Sequence, residues 1–97
     1  MATLSTHVLD TASGRPASGV AVSVEKDGAV VARGVTDAEG RVPQLAASLD
    51  PGRYRLVFEL EARFFRRVAL DIEIGSDPKY HVPLLVTPFA VTSYRGS

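Results

Sequence analysis

Alternation of apolar and polar residues is the feature that most limits the folds open to this chain. In the clearest stretch, Tyr54 to Leu60, every second side chain is large and apolar, and the run from Val68 to Ile74 repeats the pattern. Turn-favouring residues separate such runs about every 8 to 12 residues. A side-chain period of two is typical of a half-buried β-strand. The chain is therefore predicted to be all-β, with about eight short strands in a two-sheet antiparallel sandwich.

Glycine-containing turns mark where these strands reverse. Lys26-Asp27-Gly28 and Asp37-Ala38-Glu39-Gly40 each precede another β-favouring run, and glycine adopts the positive φ that tight turns require. Pro43 is expected to end the strand that Arg41 opens, and Leu45 to Leu49 is one helical turn at most. No segment predicts a long helix.

The size and charge of the chain limit its domain count and its partners. Its 97 residues, 45% of them hydrophobic, suit one globular domain, so a single domain is predicted over 1–97. Eleven basic residues balance eleven acidic ones, which leaves no basic field to attract nucleic acid or an anionic membrane. There is no cysteine, no leader pattern and no apolar run approaching about 18 residues. A cytoplasmic location is therefore expected.

Two segments break the rule that one side of a sandwich strand faces water. The first strand has Leu9 beside His7 on the side opposite Leu4 and Val8, and the segment Tyr80 to Val86 is apolar on both sides. An apolar outer surface rimmed by polar groups more often marks an interface than a solvated face. We therefore expect the sheet that holds the first and last strands to pack against another copy of the chain.

The only two histidines, His7 and His81, lie in these two segments. A lone histidine on a strand is usually structural or merely exposed, but two neutral imidazoles that meet in space can supply a general base. Two histidines could also bind zinc, although no third ligand stands at a recognisable spacing. A nucleophilic triad of Ser5, His7 and Asp10 is a weaker reading, because the G-x-S-x-G elbow is absent.

The closing tetrapeptide Tyr94-Arg95-Gly96-Ser97 follows the β-favouring run Val91-Thr92-Ser93 with no glycine or proline linker. It is therefore expected to continue a strand and to hold a hydroxyl, a guanidinium and a carboxylate at a fixed place, although such tails are usually frayed. Arg41 follows a turn glycine. It is either a solvated charge at the start of a strand or a positive group of a site.

Five segments, in order over nearly the whole chain, match one known family. They are Leu4-Ser5-Thr6-His7-Val8-Leu9-Asp10, Gly14-Arg15-Pro16-Ala17, Thr36-Asp37-Ala38-Glu39-Gly40-Arg41, Tyr80-His81-Val82-Pro83-Leu84-Leu85 and Tyr94-Arg95-Gly96-Ser97. Together they resemble the 5-hydroxyisourate hydrolases, the transthyretin-related enzymes of purine breakdown. The last segment is the most specific, since it separates the enzymes from the hormone-carrying transthyretins.

The resemblance implies a prealbumin-like sandwich of two antiparallel four-stranded sheets, assembled as a homotetramer (a dimer of dimers). It implies an active site in the channel between dimers, with His7, Arg41 and His81 as catalytic residues and the substrate bound by Tyr94, Arg95, Gly96 and Ser97. The implied reaction is the cofactor-free, metal-free hydrolysis of 5-hydroxyisourate. One histidine activates water and Arg41 polarises the substrate, and which histidine is the base stays open.

Two segments depart from the family's pattern. Relatives carry a short helix where only Glu61 to Arg67 joins two strands here, so that helix is expected to be shortened or absent. Phe89-Ala90-Val91-Thr92-Ser93 replaces a more usual Tyr-Gly-Tyr-Ser-Thr, which leaves the substrate preference open. The alternatives are a non-catalytic, transthyretin-like carrier of a small ligand and a purely structural sandwich module.

Overall fold

The computed structural model describes residues 1–96, and these form nine strands and no helix. In chain order the strands are β1 (Ala2–Asp10), β2 (Arg15–Pro16), β3 (Ala21–Lys26), β4 (Ala29–Val35), β5 (Arg41–Leu49), β6 (Gly52–Glu59), β7 (Arg67–Ile74), β8 (Lys79–Val86) and β9 (Val91–Ser93). The predicted all-β class is confirmed.

The strands form two sheets. The first contains β2, β1, β8 and β9 in that order, with β5 also paired to β1, and the second contains β4, β3, β6 and β7. The predicted sandwich is thus confirmed, and the first sheet has a fifth strand because β2 and β5 pair with different parts of β1.

One expectation about the sheets is wrong, because β1 and β8 run parallel from Thr3 and Lys79 to Asp10 and Val86. Antiparallel pairing is enforced where a short hairpin joins two strands. β1 and β8 are neighbours in space, but all four strands of the second sheet lie between them along the chain. No hairpin therefore fixes their relative direction. The first sheet is therefore mixed.

β5 is longer than the sequence pattern predicts. Pro43 does not end it, and Leu45 to Leu49 extends the strand rather than forming a helical turn. Proline is tolerated here because β5 lies at the edge of its sheet, where one side of the backbone needs no strand partner. Register shifts against β1 break the alternation, which is why the pattern is hard to recognise in the sequence.

The core lies between the two sheets and is built from the alternate residues that the sequence pattern selects. Leu4, Val8, Leu56, Phe58 and Leu84 are fully buried. Two buried threonines lie among the apolar residues, and each has a hydrogen-bond partner: the Thr6 hydroxyl donates to the carbonyl of Val82 at 2.6 Å, and that of Thr36 donates to the carbonyl of Ala17 at 2.7 Å. No buried side-chain polar atom of residues 1–96 lacks a partner, so the core is satisfied as native cores are.

The short connection between β6 and β7 has no helix, as expected from its length. A backbone hydrogen bond from Leu60 to Arg66, at 2.7 Å, closes this connection into a loop. Phe64 is 70% exposed and stacks edge-on against Phe65, with ring centres 5.1 Å apart. The described part of the chain contains no helix that is long and apolar enough to cross a membrane.

Candidate active site

Three neighbouring strands bring the candidate catalytic residues to one face of the first sheet. His7 of β1 lies directly opposite Arg41 of β5, and His81 of β8 is the parallel partner of Ser5 on β1. Paired residues of adjacent strands project to the same side of a sheet. Since the even-numbered residues of β1 from Ala2 to Val8 are buried in the core, these four side chains lie on the outer face.

The His7 ring is held by a main-chain carbonyl. Its Nε2 lies 2.9 Å from the carbonyl oxygen of Glu39. A carbonyl can only accept a hydrogen bond, so Nε2 carries the proton and donates it. In neutral His7 the free lone pair is therefore on Nδ1.

The turn before β5 places both the Glu39 carbonyl and the Arg41 backbone. The Asp37 carboxylate accepts hydrogen bonds from the backbone N–H groups of Glu39 at 2.9 Å and of Arg41 at 3.0 Å. These bonds hold the pKa of Asp37 below its ordinary value, with the bond from Arg41 as the largest cause. Gly40 completes the turn at φ 76°, a left-handed conformation that favours glycine.

His81 is held by a side chain of the neighbouring strand. Its Nδ1 lies 2.8 Å from the hydroxyl oxygen of Ser5. Burial is the largest cause that lowers the pKa of His81 below its ordinary value, and the positive charges of His7 and Arg41 lower it further. His81 is therefore neutral at pH 7, the state that a general base requires.

The end of the described chain continues beside β8, as expected from the sequence. The backbone N–H of Gly96 donates to the carbonyl of His81 at 2.7 Å, and the two residues form an isolated β-bridge. A Cβ on Gly96 would lie only 2.7 Å from Cδ2 of the His81 ring. The absence of a side chain at Gly96 thus lets the backbone lie against the imidazole.

Part of this group borders a concavity of about 460 Å³ on the outer face of the sheet, and His7 is not among the described residues that line it. Its lining includes Ser5, Arg41, Pro43, Lys79, His81 and Gly96. Polar groups on a partly apolar concave surface are typical of a small-molecule site. Pro43 and Lys79 were not among the residues expected to line the site, and Ser5 was considered only as part of a triad with His7 and Asp10. The strand register places all three here.

Tyr94 and Arg95 lie elsewhere in this structure. The Arg95 guanidinium donates to the Asp77 carboxylate at 3.0 Å and sits 4.5 Å from the centre of the Tyr80 ring. Tyr94 is 56% exposed, and both side chains line a groove that also includes Leu70 of β7. Of the three described residues of the closing tetrapeptide, then, Gly96 alone contacts the histidine site; Ser97 lies outside the described residues.

The contacts in the structure do not support the two alternative sites considered from the sequence, a nucleophilic triad and a zinc site. Ser5 bonds to His81 rather than to His7, and the Asp10 carboxylate accepts a hydrogen bond from Arg63 at 2.7 Å. The Ser5–His7–Asp10 triad is therefore wrong. Residues 1–96 also contain no group of three or more histidine, cysteine or acidic side chains that could hold a metal ion.

Comparison with known proteins decides the family. The model of the HIUase/Transthyretin family matches residues 4–96. The chain belongs to this family. A relative from Caulobacter vibrioides named 5-hydroxyisourate hydrolase is 39% identical, with all of both chains covered. The mouse (Mus musculus) protein of the same name is 36% identical over 97% of this chain and 94% of its own length.

Solved structures agree with the family and the fold. Klebsiella pneumoniae 5-hydroxyisourate hydrolase superposes with a TM-score of 0.93 at 40% identity, with 100% of each chain covered. Sea bream transthyretin in complex with thyroxine has a TM-score of 0.87 at 28% identity, covering 97% of this chain and 94% of its own. The enzyme is thus the nearer of these two in both sequence and shape.

The alignment with the Caulobacter relative also bears on the missing helix. It spans 115 positions, at least 18 more than the 97 residues of this chain can fill. This chain therefore lacks at least 18 residues that the relative has. A short, helix-free connection between β6 and β7 is consistent with such a loss.

Proposed function

We propose that this protein hydrolyses 5-hydroxyisourate to 2-oxo-4-hydroxy-4-carboxy-5-ureidoimidazoline, a step of urate degradation. The observation that carries the proposal is the outer-face cluster of His7, Arg41 and His81 in a chain that is 39% identical to a relative named 5-hydroxyisourate hydrolase. Two imidazoles and a guanidinium are the groups that water attack on a ring amide needs.

The proposed reaction opens the six-membered ring at its N1–C6 amide. A histidine takes a proton from water while the water oxygen bonds to C6. The N1–C6 bond then breaks with N1 as the leaving group, and N1 takes up the proton that the histidine removed from water. C6 stays bonded to C5 and becomes a carboxylate as its remaining acid proton passes to solvent. General-base catalysis of this kind contributes roughly 10²–10⁴-fold to the rate.

Arg41 is proposed to stabilise the negative charge that develops on the C6 oxygen. Its guanidinium is exposed on the same face as both histidines. Loss of one such donor typically costs about 10²–10³-fold in kcat. The reaction needs no oxidant, metal or other co-reactant, so no cofactor is proposed.

The lowered pKa of His81 makes a prediction about pH. A base is active when unprotonated, and burial together with the charges of His7 and Arg41 moves this group's pKa below its ordinary value of 6.5. With His81 as the base, activity should therefore be present at pH 7 and fall as the pH drops below 6.5 through that lowered pKa.

The closing tetrapeptide is proposed to bind the substrate, as the resemblance implies. Gly96 already lies against the His81 ring. Arg95 is paired with Asp77, so its guanidinium must leave that partner to reach the substrate. The proposed roles of Tyr94, Arg95 and Ser97 rest on the family's pattern alone.

A homotetramer is proposed as the active assembly, together with a single domain over 1–97 and a cytoplasmic location. The half-buried Leu9 and Leu85 on the outer face of the first sheet support packing against another copy. Light scattering tests the assembly, and a 10.4 kDa particle at micromolar concentration would contradict it.

A transthyretin-like carrier is the second candidate, because the likeness to sea bream transthyretin in complex with thyroxine is also strong, with a TM-score of 0.87. An absorbance assay on 5-hydroxyisourate freshly made with urate oxidase separates the two functions. An enzyme accelerates the decay above the spontaneous rate of a protein-free blank. A carrier retains ligand, and the decay then proceeds at the rate of the blank or more slowly.

A further inference from the structure

The Ser5 hydroxyl contacts one nitrogen of the His81 ring. The hydroxyl oxygen lies 2.8 Å from Nδ1 of His81, across two paired strands. Both residues are half-buried, so water competes with this bond less than it would on an open surface. Neither group has another hydrogen-bonding side-chain partner among residues 1–96.

Gly96 limits the position of the His81 ring from another side. Its backbone lies so close to Cδ2 and Cγ of the imidazole that a Cβ there would be 2.7 Å and 3.4 Å from these atoms. The ring is thus confined between a hydrogen bond at Nδ1 and the backbone beside Cδ2. This arrangement leaves Nε2 as the nitrogen without a protein partner in the described residues.

We propose that Ser5 is a positioning residue for His81: its hydroxyl oxygen accepts the Nδ1 proton, so that Nε2 presents its lone pair to the concavity. The choice of tautomer rests on the proposed function, because a base acting at Nε2 must carry its proton on Nδ1. The contact itself is independent of that function.

The charges around His81 do not compete for this role. On the outer face, β1 contributes His7, β5 contributes Arg41, and β8 itself contributes Lys79 two residues away. Arg41 and Lys79 carry only hydrogen-bond donors, and the ring bond recorded for His7 goes to the Glu39 carbonyl rather than to His81. Ser5 is the neutral acceptor on this side of the ring.

Nuclear magnetic resonance of the imidazole nitrogens tests the proposal directly. In the wild type, at a pH where the His81 ring is neutral, its ¹⁵N shifts should show the proton on Nδ1. Ser5→Ala should convert this pattern to that of a mixture of the two tautomers. Ser5→Ala should also lower the pKa of His81 further, since the accepted bond is stronger to the imidazolium than to the neutral ring. A rise in that pKa, or a proton found on Nε2 in the wild type, would show that the hydroxyl is the donor and overturn the proposal.

Kinetics supply the second readout. Ser5→Ala should lower kcat about 3- to 10-fold, the loss expected from one hydrogen bond, with little change in KM. Ser5→Thr keeps the hydroxyl and should restore both the activity and the ¹⁵N pattern. Ser23→Ala is the matched control, because Ser23 is a half-buried strand serine on the outer face of the other sheet.

The two proposals fail in different ways. If the wild type does not accelerate 5-hydroxyisourate decay, the proposed function is wrong, and the nitrogen shifts still decide whether Ser5 sets the tautomer. If the wild type is active but Ser5→Ala leaves kcat and the His81 spectrum unchanged, the positioning role is wrong and the proposed function stands.

Discussion

Replacing Gly96 by alanine is the sharpest single perturbation of the site that the structure offers. The added Cβ would lie 2.7 Å from Cδ2 of His81 and 3.3 Å from the His81 carbonyl oxygen, whereas ordinary contacts begin at 3.4 Å. Either the imidazole or the chain end must therefore move, by about 0.3 Å to relieve the clash and by about 0.7 Å to reach an ordinary contact distance. A displacement near 1 Å in a catalytic geometry can cost about 10²-fold, or roughly 2.7 kcal/mol of transition-state stabilisation.

The same substitution should barely change the stability of the fold. The local interaction at risk is the backbone hydrogen bond from Gly96 to His81, worth about 1 kcal/mol. Gly96→Ala should thus lose about 10²-fold in kcat/KM, measured by 5-hydroxyisourate absorbance against a protein-free blank, while urea unfolding changes little. Gly75→Ala is the control, since its Cβ would approach nothing closer than the Tyr80 hydroxyl at 3.4 Å. Activity of Gly96→Ala within twofold of the wild type would refute the reasoning.

Three further predictions follow from the site, the surface and the core. His7→Ala, Arg41→Ala and His81→Ala should each lose at least about 10²-fold in kcat with an unchanged assembly by light scattering, and wild-type turnover in all three would contradict the mechanism. The Asp10 pKa falls from 3.8 to about 2, chiefly through its bond to Arg63, so the folded state binds fewer protons than the unfolded chain. Its stabilisation is present above about pH 4 and lost as the pH falls toward 2; in acid urea titrations Asp10→Asn should lose less stability over that range than the wild type, and equal losses would contradict the assignment. Phe58→Ala, at a fully buried position, should cost about 3–5 kcal/mol in urea unfolding, and a loss under about 1 kcal/mol would contradict the core packing.

The sequence predicts the strands best where burial alone decides the pattern. β6 and β7 alternate, apart from the buried Val57 of β6, because one face of each packs on the core. Tyr54 to Leu60 could therefore be assigned from side-chain period alone. β5 could not, because register shifts and Pro43 disrupt its period. The parallel pairing of β1 with β8 depends on contacts between distant segments, which no local pattern encodes.

The site shows the same division. Alternation places His7 on the side of the first strand opposite Leu4 and Val8, but it assigns no side to His81, because Tyr80 to Val86 is apolar on both sides. The resemblance to the family supplies the expectation that the two histidines share a site, and the parallel register places both on the outer face. The partner of each ring was not predictable: Ser5 meets His81 only through the parallel register, and a main-chain carbonyl leaves no residue signature. The position of Arg95 on Asp77 likewise depends on how the chain end turns, which local propensity does not specify.

The central claim is that this histidine and arginine cluster hydrolyses 5-hydroxyisourate, and the initial decay rate of that compound tests it most directly. With equal concentrations of wild type and of a His7→Ala/His81→Ala double variant, the account predicts decay well above the blank for the wild type and decay at the blank rate for the variant. Equal rates for the two proteins, whether fast or slow, would contradict it.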